Sequence, residues 1–422
     1  MKPLDTDDPR VVGPFQLLAR LGEGGMGVAY LARRIPVEGP SDALAAAYNM
    51  IEPGGIDSDA SRLVVVKMIR PTLLDGQPQA RERFGREIDA VRTVVSDRVP
   101  ALIAFEEDPA AARPWFAMDY IAGPSLETLV AESGTLAVGP CAALGLFLVD
   151  ALRAIHSTGL LHRDLKPSNV VLGPDGPTVL DFGLAVLIER RTSQAITGPG
   201  QAWGTWPYAS YEQLHYPMNT KEPTDVYALG ATLFSALTGR APYAQQPLLT
   251  PPDWSGVDSA FLPLLGQLLV HVPEQRPDLD GVDMGLRAVL VHAGLTPELA
   301  SEQLRNLVAA ADLAPKLPPE ALTDHVDPAV QVLAQSAVDA DLSDVDPGFF
   351  GIVDTDEIER AVEAEADGPE APGPGPTSYH LPAPRSAEKP AEPAFPAPQA
   401  PPRAAQNVAA RLRKRYAHRG DL

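Results

Sequence analysis

The chain has 422 residues, a formal net charge of -21 and 45 prolines. Such acidity excludes a nonspecific nucleic-acid binder, which needs clustered Lys and Arg to neutralise phosphates, so any phosphate site has to be local. One cysteine, Cys141, excludes an internal disulfide framework, suits a reducing compartment and, in its apolar run, reads as a buried inert thiol.

Residues 1–14 are polar, acidic and proline-broken, unlike a secretory leader. Residues 11–20 and 28–33 read as strands flanking a glycine-rich turn, 36–61 as a surface insertion with some helix, and 63–70 as a buried β-branched strand. Residues 79–95 have helical period, with Phe84, Ile88, Val91 and Val95 on one face. A strand over 115–121 is broken by Gly123-Pro124. Helices are predicted over 126–132, 141–158, 223–237, 259–271 and 280–292. Between the second and third lie short strands, 170–172 and 178–180, joined by Pro174-Asp175-Gly176. The most apolar run, 141–155, is too short to span a bilayer and carries Asp150 and Arg153, so no transmembrane segment and a cytoplasmic location are expected.

The pattern predicts an α+β chain of two lobes, β-rich over 11–121 and helical over 122–295, with a cleft between. Residues 296–340 read as a helical appendage, with 298–311 its clearest element. Residues 341–422 read as a disordered tail: acidic to 367, rich in Pro and Ala over 368–402, basic over 407–419. Its prolines suit either a partner's groove, with Pro-rich or phospho-dependent recognition, or an inert linker. The basic end suits an anionic membrane, an acidic partner or the chain's own acidic run.

Gly22-Glu23-Gly24-Gly25-Met26-Gly27 is a G-x-G-x-x-G loop, in which the absence of side chains lets backbone N–H groups approach phosphate oxygens. A dinucleotide-binding loop of this form opens a helix. Residues 28–33 look instead like the second strand of a hairpin. Further along, His162-Arg163-Asp164-Leu165-Lys166-Pro167-Ser168-Asn169 precedes Asp181-Phe182-Gly183, and Lys67 closes Val64-Val65-Val66-Lys67. In this order the set resembles the eukaryotic-like Ser/Thr protein kinase family, in a bacterial form, over about residues 11–295.

The resemblance implies a bilobal protein kinase fold that moves the γ-phosphate of Mg-ATP to Ser or Thr of protein substrates. Lys67 would hold the α- and β-phosphates and Glu87 would orient it, with Glu82 the competing choice. Asp164 would take the substrate hydroxyl proton, Lys166 would neutralise the moving phosphate, and Asn169 and Asp181 would ligate Mg²⁺. Ala29, Val65, Met118, Asp119, Tyr120, Ile121 and Val171 would line the adenine site. The family commonly has valine where this chain has Ala29 and alanine where it has Val65, a pair of changes that conserves volume. Arg163 would pair with a phosphate on the activation segment at Thr197, Thr192 or Ser193. Tyr211 stands where the family has a proline, before Glu212, which is expected to pair with Arg276. Asp225 is expected to cap the helix behind the catalytic loop and bond that loop's backbone. A nucleotide-binding pseudokinase scaffold is the alternative reading.

Overall fold

The strand over residues 63–69 is apolar at almost every position, and a strand that loses its alternation is one covered on both faces. The computed structural model of the chain places it so. The structure describes residues 1–24, 27–38, 44, 47–50, 63–70, 80–106, 114–181, 206–216, 220–243, 252–323 and 325–343. An antiparallel sheet runs in the order β1 (Val11–Val12), β2 (Phe15–Glu23), β3 (Gly27–Arg34), β4 (Leu63–Ile69), β6 (Trp115–Asp119), β5 (Leu102–Phe105). Residues before 11 join it too: Lys2 pairs with Arg20, whose guanidinium bonds Asp8 at 2.6 and 2.7 Å.

Successive residues of a strand point to opposite faces. Val64, Val66 and Met68 fill the outer face with Tyr30, Ala32, Trp115 and Ala117. Val65 and Ile69 fill the inner face with Phe116 and Met118, against Phe84, Ile88 and Val91 of helix α1 (Ala80–Thr93). Because α1 stops at Thr93, Val95, expected on its apolar face, is 91% exposed, and Val94 is buried instead.

The second lobe is helical: α2 (Leu126–Ser133), α3 (Val138–His156), α4 (Tyr211–His215), α5 (Glu222–Thr238), α6 (Leu262–Leu268), α7 (Leu279–His292) and α8 (Pro297–Ala311). A hairpin of β7 (Val170–Gly173) and β8 (Gly176–Val179) precedes α4. α3 and α5 are apolar around nearly the whole circumference, which suits the centre of a core. By length and composition α3 is long enough to cross a membrane, and here it is buried inside the lobe. Cys141 lies within it, and burial pushes its thiol well above the ordinary range.

Two expectations need correcting. The insertion is more than a surface loop: its Leu44 and Tyr48 are buried on the outer face of the sheet, with the Tyr48 ring 5.9 Å from that of Trp115. The segment after 295 is helical, as expected, but its end differs from the expected one. α8 packs on the helical core through Ala300 and Leu304. Helix α9 (Pro328–Ser343) then lays Val338 and Leu342 on the outer face of the sheet in the other lobe. It runs past the expected boundary at 340, and Asp341 accepts from the Tyr48 hydroxyl at 2.7 Å. The chain divides into Met1–Gly351 and Ile352–Leu422, and the second unit lies outside the described residues, as does the expected disordered tail beyond 343.

Candidate active site

Three charged side chains meet on the inner face of the sheet. Lys67 on β4 directs its ammonium to Glu87 Oε1 of α1 at 2.6 Å and to Asp181 Oδ1 at 2.9 Å. Period 2 puts Lys67 on the same face as Val65, and the helical turn at Ile88 brings Glu87 inward, where it is buried. Two carboxylates share one lysine, so they divide its effect. Burial lowers the Lys67 ammonium, but Asp181 and Glu87 more than reverse this and hold it above its ordinary value. Burial pushes the Glu87 carboxyl up to about 7; Lys67 pulls it down by less, and Asp181 adds to the rise. Asp181, lifted by burial but pulled down by Lys67, His162 and Lys166, stays below the ordinary carboxylate range.

Across the cleft a loop presents Asp164. Its Oδ2 accepts from Lys166 Nζ at 2.7 Å and Asn169 Nδ2 at 3.0 Å. Its Oδ1 is buried and, among the described residues, has no hydrogen-bond partner. The loop is held from behind by buried Asp225, which accepts from the backbone N–H groups of His162 at 2.8 Å and Arg163 at 2.7 Å. Asp225 lies in the first turn of α5 and Lys221 is the cap residue, so it braces the loop without capping the helix. Arg163 adopts φ +65, and its carbonyl accepts from Gln213 Nε2 at 2.5 Å. Gln213 and His156, which bonds Asp225 at 2.8 Å, are braces that no motif announced.

The donor set suits a hard cation and phosphates. The Asn169 amide nitrogen is committed to Asp164 O at 2.9 Å and to its carboxylate, so the amide oxygen is the atom that could serve a cation. The Leu180 N–H donates to Asn169 O at 2.8 Å, tying Asp181 to the same loop. Among the described residues no cluster of three His, Cys, Asp or Glu could hold a metal. Two oxygen ligands could still hold a divalent cation whose shell is completed by other oxygens. At the glycine-rich turn, the Gly24 N–H donates to Gly27 O at 2.9 Å, and a Cβ on Gly27 would lie 2.2 Å from Met68 O, so only glycine fits. Among the described residues, a Cβ on Gly22 or Gly24 would meet nothing within 4 Å. Glu23 is paired with Arg70 at 3.0 Å at the rim.

Met118 is buried at the back of the cleft and Asp119 ends β6; Ala29 packs partly buried on the same inner cluster as Val65. The chain then passes close against β7. A Cβ on Gly123 would lie 2.1 Å from Leu172 O, and the Leu172 N–H donates to Pro124 O at 2.9 Å. This contact holds Val171, which bridges to Ser125, under the cleft, while Ile121 lies against Gly173. Gly25, Met26, Thr192, Ser193, Thr197 and the Phe182-Gly183 pair lie outside the described residues.

Below the site Glu212 meets buried Arg276 through two bonds of 2.6 and 3.0 Å; burial lifts its carboxyl, but Arg276, together with Ser210, holds it below its ordinary value. Tyr211 replaces the ring of proline with a stack on His215, centroids 4.1 Å apart, and Ser210 caps the short helix through Gln213 N at 3.4 Å. Arg98, which no motif marked, joins the lobes: its carbonyl accepts from Val179 N at 2.8 Å and its guanidinium lies 4.5 Å from the Phe147 ring centroid.

Comparison with known proteins gives the same picture. The protein kinase domain family matches residues 54–282. The chain is 36% identical over 287 residues to serine/threonine-protein kinase AfsK of Streptomyces griseus, covering 68% of this chain and 30% of that protein. It is 40% identical over 243 residues to the probable serine/threonine-protein kinase PkwA of Thermomonospora curvata, covering 58% and 29%. The chain thus spans about a third of the length of these curated relatives. Among solved structures, the kinase domain of PknI from Mycobacterium tuberculosis aligns with a TM-score of 0.49 at 22% identity, covering 68% of this chain and 99% of that one. The family match begins at residue 54, after the glycine-rich turn, but seven paired positions between β3 and β4 put that turn in the same sheet.

Proposed function

Since the chain belongs to the protein kinase family, we propose that it transfers the γ-phosphate of ATP to Ser and Thr hydroxyls of proteins, its own activation segment included. The observation that carries this reading is the Asp164 carboxylate, one oxygen anchored by Lys166 and Asn169 and the other buried with no partner among the described residues. In the reaction a substrate hydroxyl oxygen attacks the γ-phosphorus, the bond to the β-phosphate oxygen breaks, and ADP leaves. Asp164 accepts the hydroxyl proton and orients the oxygen. Lys166, 2.7 Å from Asp164, sits where charge gathers on the moving phosphate. Lys67, held by Glu87, binds the α- and β-phosphates. Asp181 and Asn169 would hold Mg²⁺, which when bound neutralises phosphate charge. Ala29, Val65, Met118 and Val171 offer the apolar walls for adenine, with the backbone of 119–121 at its edge.

Lys166 in the catalytic loop supports Ser and Thr as acceptors, as do the names of the curated relatives. Thr197, with Thr192 and Ser193 next, is the proposed phosphate acceptor on the chain itself, read by Arg163. The test is incubation with Mg-ATP beside Asp164→Asn, followed by phosphosite mapping. Label in the parent alone is expected. A parent that binds ATP yet labels neither itself nor a generic protein substrate would replace this reading with a scaffold.

A further inference from the structure

The segment between α8 and Ser343 has one end in each lobe. Its start is fixed in the helical lobe, where α8 packs on the core and Leu313 lies against the same cluster. It leaves beside residues 120–125, the hinge that joins β6 to α2: Ala122–Pro124 and Asp312, Leu313 and Ala314 line one cavity of about 300 Å³. Its end is fixed on the sheet. The buried guanidinium of Arg33, at the far end of β3, donates to three backbone carbonyls of the segment. These are Glu320 O at 3.1 Å, Thr323 O at 2.6 Å and His325 O at 2.7 Å, with Gln16 Oε1 at 2.8 Å as a fourth partner. Gln335 bonds the backbone of Glu38 both ways, at 2.8 and 2.9 Å, Gln331 bonds Pro36 O, and Asp341 takes the Tyr48 hydroxyl.

A buried cation whose partners are all neutral carbonyls is costly unless every donor is satisfied. Arg33 therefore holds the segment in one conformation. The strand it closes is stiff: β3 is paired along its length with both β2 and β4, and its other end is Gly27 and Ala29, over the nucleotide cleft.

We propose that residues 312–343 form a second covalent connection between the lobes, parallel to the hinge, and that Arg33 is a positioning residue that uses it to keep the glycine-rich strands closed over ATP. Two lobes joined by a hinge alone move relative to each other by default. A strap anchored at both ends raises the fraction of closed, binding-competent molecules, and apparent affinity scales with that fraction. The inference rests on the nucleotide reading of the cleft.

The test uses the full chain with a specific protease site inserted between Lys316 and Leu317, cut only after purification, so that folding precedes the cut. Cutting is expected to raise the ATP KM about five- to twentyfold while kcat changes less than about twofold. Arg33→Ala, uncut, should move KM in the same direction. Arg33→Lys, which cannot fork to three carbonyls, should fall nearer to alanine than to the parent. If KM is the same before and after cutting, or only kcat falls, the second connection is refuted. If the uncut protein transfers no phosphate, the kinase reading fails on its own. Amide exchange of β2 and β3 then decides: faster exchange after cutting upholds the strap, and unchanged exchange removes it.

Discussion

The two faces of the β-rich lobe's sheet are built from alternate residues of the same strands, yet they differ in kind. The inner face carries Lys67 between Val65 and Ile69 and is ordered by charge, with a lysine reaching two carboxylates within 3 Å. The outer face carries Val64, Val66 and Met68 and is ordered by burial, under Tyr48 and Val338 from segments nearly three hundred residues apart. The same backbone thus separates chemistry from support at single-residue spacing, and a one-residue slip would exchange the two.

The comparison predicts that inner-face and cleft variants change rates, whereas outer-face variants change stability. Asp164→Asn is the most severe case: kcat should fall by about 10²–10⁴ in a phosphate-transfer assay, with an unchanged thermal midpoint. A parallel loss of stability would show that the loop is structural. On the outer face, Val338→Asp buries a charge among apolar groups and should cost about 3 kcal/mol in denaturant unfolding. If stability is unchanged, α9 does not cover the sheet in solution.

Glu87 crosses the division, because its burial costs stability while its charge serves the site. Its carboxyl ordinarily titrates near 4.5 and here is raised to about 7. Between those values the folded protein holds a proton that the unfolded chain has lost. Glu87's own contribution to stability is therefore full below about 4.5 and is lost as pH rises to about 7. Glu87→Gln should flatten that slope in thermal melts while lowering activity at neutral pH; an unaltered slope would assign the effect elsewhere. Smaller still, Ala29→Val should overpack the adenine wall against Val65 and raise the ATP KM about fivefold, equivalent to about 1 kcal/mol. An unchanged KM would mean the two departures are independent. Smallest, Tyr48→Phe removes one hydrogen bond to Asp341 and should lower stability by about 1 kcal/mol with KM for peptide substrate unmoved.

The difference between the faces also explains what could be read from residues alone. Lys67, Asp164, Asn169 and Asp181 were picked out by the family resemblance of the motifs that carry them, as was Glu87 ahead of Glu82, and the structure brings Lys67, Glu87 and Asp181 together. The strap had no such signature. Arg33 binds carbonyl oxygens, which every residue carries, so nothing in the types at 320, 323 or 325 announces the contact. Tyr48 stands in a stretch without period, and its packing depends on a partner far along the chain. The one legible trace was the missing alternation of β4, which required a cover without saying which segment supplied it. Gln213 and Arg98 escaped for a related reason: each acts through backbone carbonyls or a ring face, at sites set by tertiary placement.

The strap also has a consequence for the order in which the molecule is made. The bonds that close the outer face join residues 287 to 297 positions apart. At a synthesis rate of roughly 5–20 residues per second, about 15–60 seconds separate the emergence of β3 from that of α9. During that interval the helical lobe can assemble from its own contacts, whereas Val64, Val66 and Trp115 wait under water or a chaperone. The half of the molecule translated first is thus the last to be finished, and its apolar back is the surface a nascent chain most needs to have guarded.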